Sequence, residues 1–137
     1  MKTFRAQYLA LLMAFALALA AAANVPAADL PKSGALAPAE ALQLMDTLGD
    51  KLTIIDVRTE EEFAQGHVPG AVLLPVQTLR QHMDQVPSDK PVLLLCRTGH
   101  RAQAAYDMIK EAYPQDQTLW FLKGIPVYNN DGTFIFK

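Results

Sequence analysis

The chain has 137 residues, 51% of them apolar, with 12 Lys or Arg against 14 Asp or Glu and a formal net charge of -2. That length suits one ordinary domain, and the slight acidity excludes a nucleic-acid partner. A lone cysteine, Cys96, rules out an intrachain disulfide and leaves a free reactive thiol or an intermolecular partner.

The first residues read as a secretory signal peptide over 1–23. Lys2 and Arg5 form a basic start, and Tyr8 to Ala23 is uncharged and dominated by Leu and Ala. Ala21-Ala22-Ala23 fits a cleavage site before Asn24, and Val25-Pro26-Ala27 offers a later one, up to residue 27. The apolar stretch is shorter than the ~20 residues that span a bilayer, so export to the periplasm with cleavage is expected, without stable membrane insertion afterwards. Loss of Lys2 and Arg5 leaves ten basic residues against fourteen acidic ones, a mature charge near -4. Residues 24–37, rich in Ala and Pro, read as a linker or loosely packed arm, and 38–137 as the domain.

Within the domain, helical and strand patterns alternate. From Pro38 to Leu48, apolar residues at 41, 42, 45 and 48 follow helical spacing, with Pro38 at the start and Gly49 as the stop. Thr53 to Val57 is a short strand, and Thr59 and Glu62 stand at capping-box spacing at the head of a brief helix ending at Gly66. A turn over 66–70 leads to a second strand, Ala71 to Leu74, and then to a helix over Thr78 to Val86 with Leu79, Met83 and Val86 on one face. Pro91 to Leu95 is a third strand, a helix runs from the loop after Cys96 to about Tyr113, and Thr118 to Phe121 is a fourth strand. Asn129-Asn130-Asp131-Gly132, between two apolar runs, marks a candidate C-terminal hairpin. The alternation implies an α/β fold: a mainly parallel sheet of about five strands with helices on both faces.

Ligands of such sheets bind at the carboxyl ends of strands, where Cys96 falls. The run Cys96-Arg97-Thr98-Gly99-His100-Arg101-Ala102 joins a strand to a helix. A helix N-terminus presents unpaired N–H groups and the positive end of its dipole, and two arginines add fixed charge, all favouring a thiolate. The same groups suit an oxyanion substrate. A buried structural cysteine is the alternative, but two arginines and a histidine beside it are costly to bury without a ligand.

Three stretches together resemble the rhodanese domain family in order and spacing: Asp56-Val57-Arg58, then Glu62 to Ala71 (EFAQGHVPGA), then Cys96 to Ala102. The resemblance covers roughly residues 38 to 124 and implies sulfurtransferase chemistry through a cysteine persulfide, the loop wrapping the substrate in backbone amides. The C-terminal part departs from the family pattern, in which Gly-Gly and a Trp-bearing helix are usual; here Lys123-Gly124-Ile125-Pro126-Val127-Tyr128 precedes the hairpin turn.

The parts then take separate roles. Cys96 is the expected nucleophile toward thiosulfate or a similar anionic donor, with the persulfide as a covalent intermediate and no separate cofactor. Arg97 and Arg101 are expected to face the donor at the pocket mouth, Gly99 to permit an anion-binding turn, and Thr98 and His100 to line the substrate or to serve only the loop and solvent. Asp56 and Arg58 are expected to pair and brace the loop, and His67 to fix its turn by hydrogen bonding; no second ligand stands at metal-binding spacing, so no metal is expected. The acceptor is a thiophile, either cyanide or a thiol, including a protein thiol. Two other classes compete: a non-catalytic sulfur carrier or binding module, and a Cys-based phosphatase or arsenate reductase. The latter need five residues between Cys and Arg, whereas four separate Cys96 from Arg101.

Overall fold

Val92–Leu95 and Leu119–Leu122 are apolar throughout but for one indole N–H, so neither strand has a face that suits water. The computed structural model, which describes residues 30–115 and 118–137, buries both between two layers of helix. The expected signal peptide and the linker residues up to 29 lie outside the described residues.

Five strands form one parallel sheet in the order β1-β5-β4-β2-β3. They are β1 (Gly34–Leu36), β2 (Thr53–Asp56), β3 (Val72–Leu73), β4 (Val92–Leu95) and β5 (Leu119–Leu122). Central β4 aligns Asp56 with Leu95 on one side and Leu94 with Phe121 on the other. Alternation along the strands sorts the core into two layers. Val92, Leu94, Leu119 and Phe121 pack with Ala102, Ala105 and Ile109 of α3 (His100–Ala112). Leu93, Leu95, Trp120 and Leu122 pack with Ala41, Leu44 and Leu48 of α1 (Pro38–Leu48) and with Phe136. The remaining α-helix, α2 (Glu60–Gln65), follows β2 and opens on a reciprocal cap between Thr59 and Glu62.

Two expectations are corrected. Residues 30–37 are not a loose arm: Gly34–Leu36 is an edge strand paired with 120–122, and the Trp120 indole donates to the carbonyls of Pro31 and Lys32 at 3.1 Å each. Three small residues carry no period of their own, and their place is set by the edge that β5 offers. The segment expected as an α-helix over 78–86 is a 3-10 helix, Leu79–Gln85, broken at His82. Of its residues only Leu79 is buried, too little apolar surface to hold a regular helix.

The C-terminal hairpin is present, with β6 (Pro126–Tyr128) antiparallel to β7 (Phe134–Phe136). Hydrogen bonds between Ile125 and Lys137 extend the pairing beyond both strands, and Asp131 caps the turn by accepting from Thr133. Phe136 anchors the hairpin in the α1 layer. Pro126 and Tyr128 are thereby brought to the carboxyl end of the sheet.

A chain starting at Pro38 is expected to be about 3 kcal/mol less stable to urea than one starting at Leu30, because it loses buried Leu36 and the β1 ladder and bares Trp120. Equal midpoints for the two chains would contradict the assignment of 30–37 to the core.

Candidate active site

Cys96 is the first residue beyond β4 and is 1% exposed, at the foot of a cavity of about 400 Å3. Such a volume lies at the low end of small-molecule sites. The chain turns sharply after it, and Gly99 holds the turn in the left-handed region at φ +93. A Cβ at Gly99 would stand 3.0 Å from the Leu122 carbonyl oxygen, so only glycine fits without displacement. From this position the Gly99 N–H donates to Cys96 Sγ at 3.0 Å, and α3 begins at the next residue. The sulfur therefore sits against a backbone donor at the N-terminal end of a 13-residue helix.

One wall of the cavity is Arg58. Its Nε donates to both Asp56 carboxylate oxygens at 2.9 and 3.0 Å, and its Nη2 donates to Asp56 Oδ2 and to the Gly66 carbonyl, each at 2.7 Å. Burial works against the guanidinium charge, but hydrogen bonding and Coulomb attraction to Asp56 outweigh it and raise the pKa. Arg58 thus lines the cavity directly as well as bracing it. Its guanidinium also lies 4.8 Å over the ring of Tyr128, which the hairpin supplies as the opposite wall. A Cβ at Gly66 would come within 2.9 Å of Tyr128 Cβ, so the ring and the end of α2 are in direct contact. Burial pushes the Tyr128 phenol up to about 12, against the pull of Arg58, and it stays protonated at neutral pH.

Arg101 does not face the cavity mouth as expected. Its guanidinium makes a two-pronged pair with Glu62, Nη1 to Oε2 at 2.7 Å and Nη2 to Oε1 at 2.8 Å. The Thr59 cap aims the Glu62 carboxylate across to α3, and the planar fork of arginine matches two carboxylate oxygens. These hydrogen bonds, chiefly from Arg101, hold the Glu62 carboxyl down at about 2 despite its desolvation. The pair ties α2 to α3. Arg97, by contrast, is exposed, lines the cavity, and has no hydrogen bond or ion pair among the described residues.

Thr98 and His100 are exposed and are not among the residues that line the cavity. His67 lies outside it too, stacked on Phe63 with ring centroids 3.7 Å apart while its Nδ1–H donates to the Phe63 carbonyl at 2.8 Å. That contact closes the end of α2. Glu62, Gln65, Gly66, Pro126 and Tyr128 join the cavity wall without having been singled out for it in the sequence. Glu62 stood in the sequence as a helix cap and the first residue of a family-like stretch, and Tyr128 as part of the run before the hairpin turn, neither with a place in the site.

The depressed Glu62 carboxyl has a consequence in acid. Because its folded value, about 2, lies below the ordinary 4.5, its contribution to stability is present above pH 4.5 and is lost as pH falls toward 2. Unfolding measured across that window should show the wild type losing more stability than Glu62→Gln, which has no such proton to take up. Parallel curves for the two proteins would contradict the pairing.

The rhodanese-like domain family matches residues 37–134. A sulfurtransferase of Allochromatium vinosum is 31% identical over 97 residues, covering 66% of this chain and 89% of that protein. Among solved structures, a rhodanese-related protein of Thermoplasma volcanium superposes with a TM-score of 0.56 at 20% identity, covering 69% of this chain and 86% of that one. A single-domain sulfurtransferase of Saccharomyces cerevisiae gives 0.52 at 19% identity, with the same two coverages. Both share the fold: a five-stranded parallel sheet with helices on its two faces. With its sheet order, its loop after β4 and the match over 37–134, the chain belongs to the rhodanese-like domain family.

Proposed function

We propose that this protein transfers sulfane sulfur from thiosulfate, or a similarly small anionic donor, through a persulfide on Cys96 to a thiophilic acceptor, either cyanide or a thiol, including a protein thiol. Family membership and the Allochromatium vinosum sulfurtransferase support sulfur transfer in general. The finer reading rests on one observation: Cys96 Sγ accepts the Gly99 N–H at the foot of a cavity in which Arg97 is the cation left unpaired among the described residues.

The chemistry proceeds in two displacements. Cys96 thiolate attacks the outer sulfur of thiosulfate; the S–S bond breaks and its electron pair leaves with sulfite. The acceptor then attacks the outer sulfur of the persulfide, giving thiocyanate from cyanide or a new persulfide from a thiol, and the thiolate returns. No cofactor or metal takes part. Negative charge stays on sulfur throughout, next to the Gly99 N–H and the N-terminal end of α3, donors that need no reorganisation. Arg97 captures the dianion at the mouth, while Glu62–Arg101 and Asp56–Arg58 fix the walls. The compartment belongs to the same reading: the chain is exported to the periplasm and loses Met1 to Ala23 or a few residues more.

Steady-state kinetics with thiosulfate and cyanide test the reading. Cys96→Ser should keep the fold and lose all turnover, since the chain holds no other thiol. Arg97→Ala should raise the KM for thiosulfate, a loss on the order of 1 to 3 kcal/mol, with kcat less affected. Retained activity in Cys96→Ser would refute the nucleophile, and an unchanged KM in Arg97→Ala would refute electrostatic capture.

A further inference from the structure

Among the described residues, one buried side-chain oxygen or nitrogen has no hydrogen-bond partner: the phenolic oxygen of Tyr128. A hydroxyl in that position is costly, since a buried donor left unsatisfied loses its hydration without compensation. Packing alone does not call for it. The ring is already held by Arg58 above it and Gly66 behind it, and a phenylalanine would make both contacts. What the hydroxyl adds is a neutral, directional donor, buried and unpartnered, on a residue that lines the cavity holding Cys96.

Several donors around that cavity are already committed. Arg58 commits Nε and Nη2 to Asp56 and Gly66, Arg101 is taken by Glu62, and the Gly99 N–H is taken by Cys96 Sγ. Among the lining side chains that leaves Arg97 and the Gln65 amide, both exposed, and the Tyr128 hydroxyl, which is buried. An oxygen-bearing anion needs several donors, whereas sulfur is a weak hydrogen-bond acceptor. We propose that Tyr128 is a substrate-binding residue whose O–H donates to a sulfonyl oxygen of the bound sulfur donor, so that the pocket selects donors carrying the sulfane sulfur on an oxidised sulfur, such as thiosulfate, over organic persulfides. This inference rests on the sulfur-transfer reading of the same site. It gives the hairpin, where the chain departs from the usual family pattern, a role in specificity.

The test compares the wild-type chain with Tyr128→Phe, using thiosulfate and glutathione persulfide as alternative donors and cyanide as acceptor. The expected result is a roughly tenfold rise in KM for thiosulfate in Tyr128→Phe, with kcat little changed and the KM for glutathione persulfide unaltered. The melting temperature should stay level or rise, because the substitution removes an unpartnered hydroxyl. An unchanged KM for thiosulfate overturns the proposal. An equal rise for both donors, or a drop in melting temperature with it, overturns it too and assigns Tyr128 to packing. If the wild type takes sulfur from neither donor, the sulfur-transfer reading fails and this inference fails with it.

Discussion

The walls of the cavity meet on one buried cation. Arg58 is 7% exposed, yet its guanidinium holds Asp56 at the end of β2, the Gly66 carbonyl at the end of α2, and the face of Tyr128 on the hairpin. A charge in that position is tolerated because Asp56, fully buried, meets it with both carboxylate oxygens. Removing either partner would leave the other charged and unpaired, which typically costs about 3 to 5 kcal/mol. Three segments distant in sequence are thus fixed relative to one another by a single side chain, and the cavity is the space they leave.

Cys96 reaches that space because the sheet is parallel and buried on both faces. Every strand ends at the same edge, and β4, in the middle, delivers its next residue to the centre of it. The turn that follows has little freedom: Gly99 lies against the Leu122 carbonyl, so the loop is set by β5 as well as by its own residues. Around it the charges are sorted by pairing. Asp56–Arg58 and Glu62–Arg101 neutralise each other and serve as braces, and Arg97 stays exposed at the cavity with no ion pair among the described residues. The same residue type takes two roles within one site according to whether the fold places a carboxylate beside it.

That sorting marks the limit of what the sequence discloses. The layout of the sheet is legible because β4 and β5 are apolar on both faces and the helices between the strands carry their own starts and stops. The Cys96 loop is legible from composition. The partner of Arg101 is not, since 39 positions separate it from Glu62 and nothing local distinguishes an arginine facing substrate from one facing a helix cap. Asp56 and Arg58, two positions apart at a strand end, are a pair that local spacing does suggest. β1 was hidden because a three-residue edge strand takes its register from β5. Tyr128 was hidden because its place depends on Phe136 docking in the opposite layer, a tertiary contact that the hairpin pattern does not encode.

The most direct measurement is the intact mass of the protein after exposure to thiosulfate and removal of excess reagent. One added sulfur atom, lost on treatment with cyanide and absent from Cys96→Ser, is expected. A mass unchanged by thiosulfate, or an adduct that cyanide does not remove, would contradict sulfur transfer through Cys96.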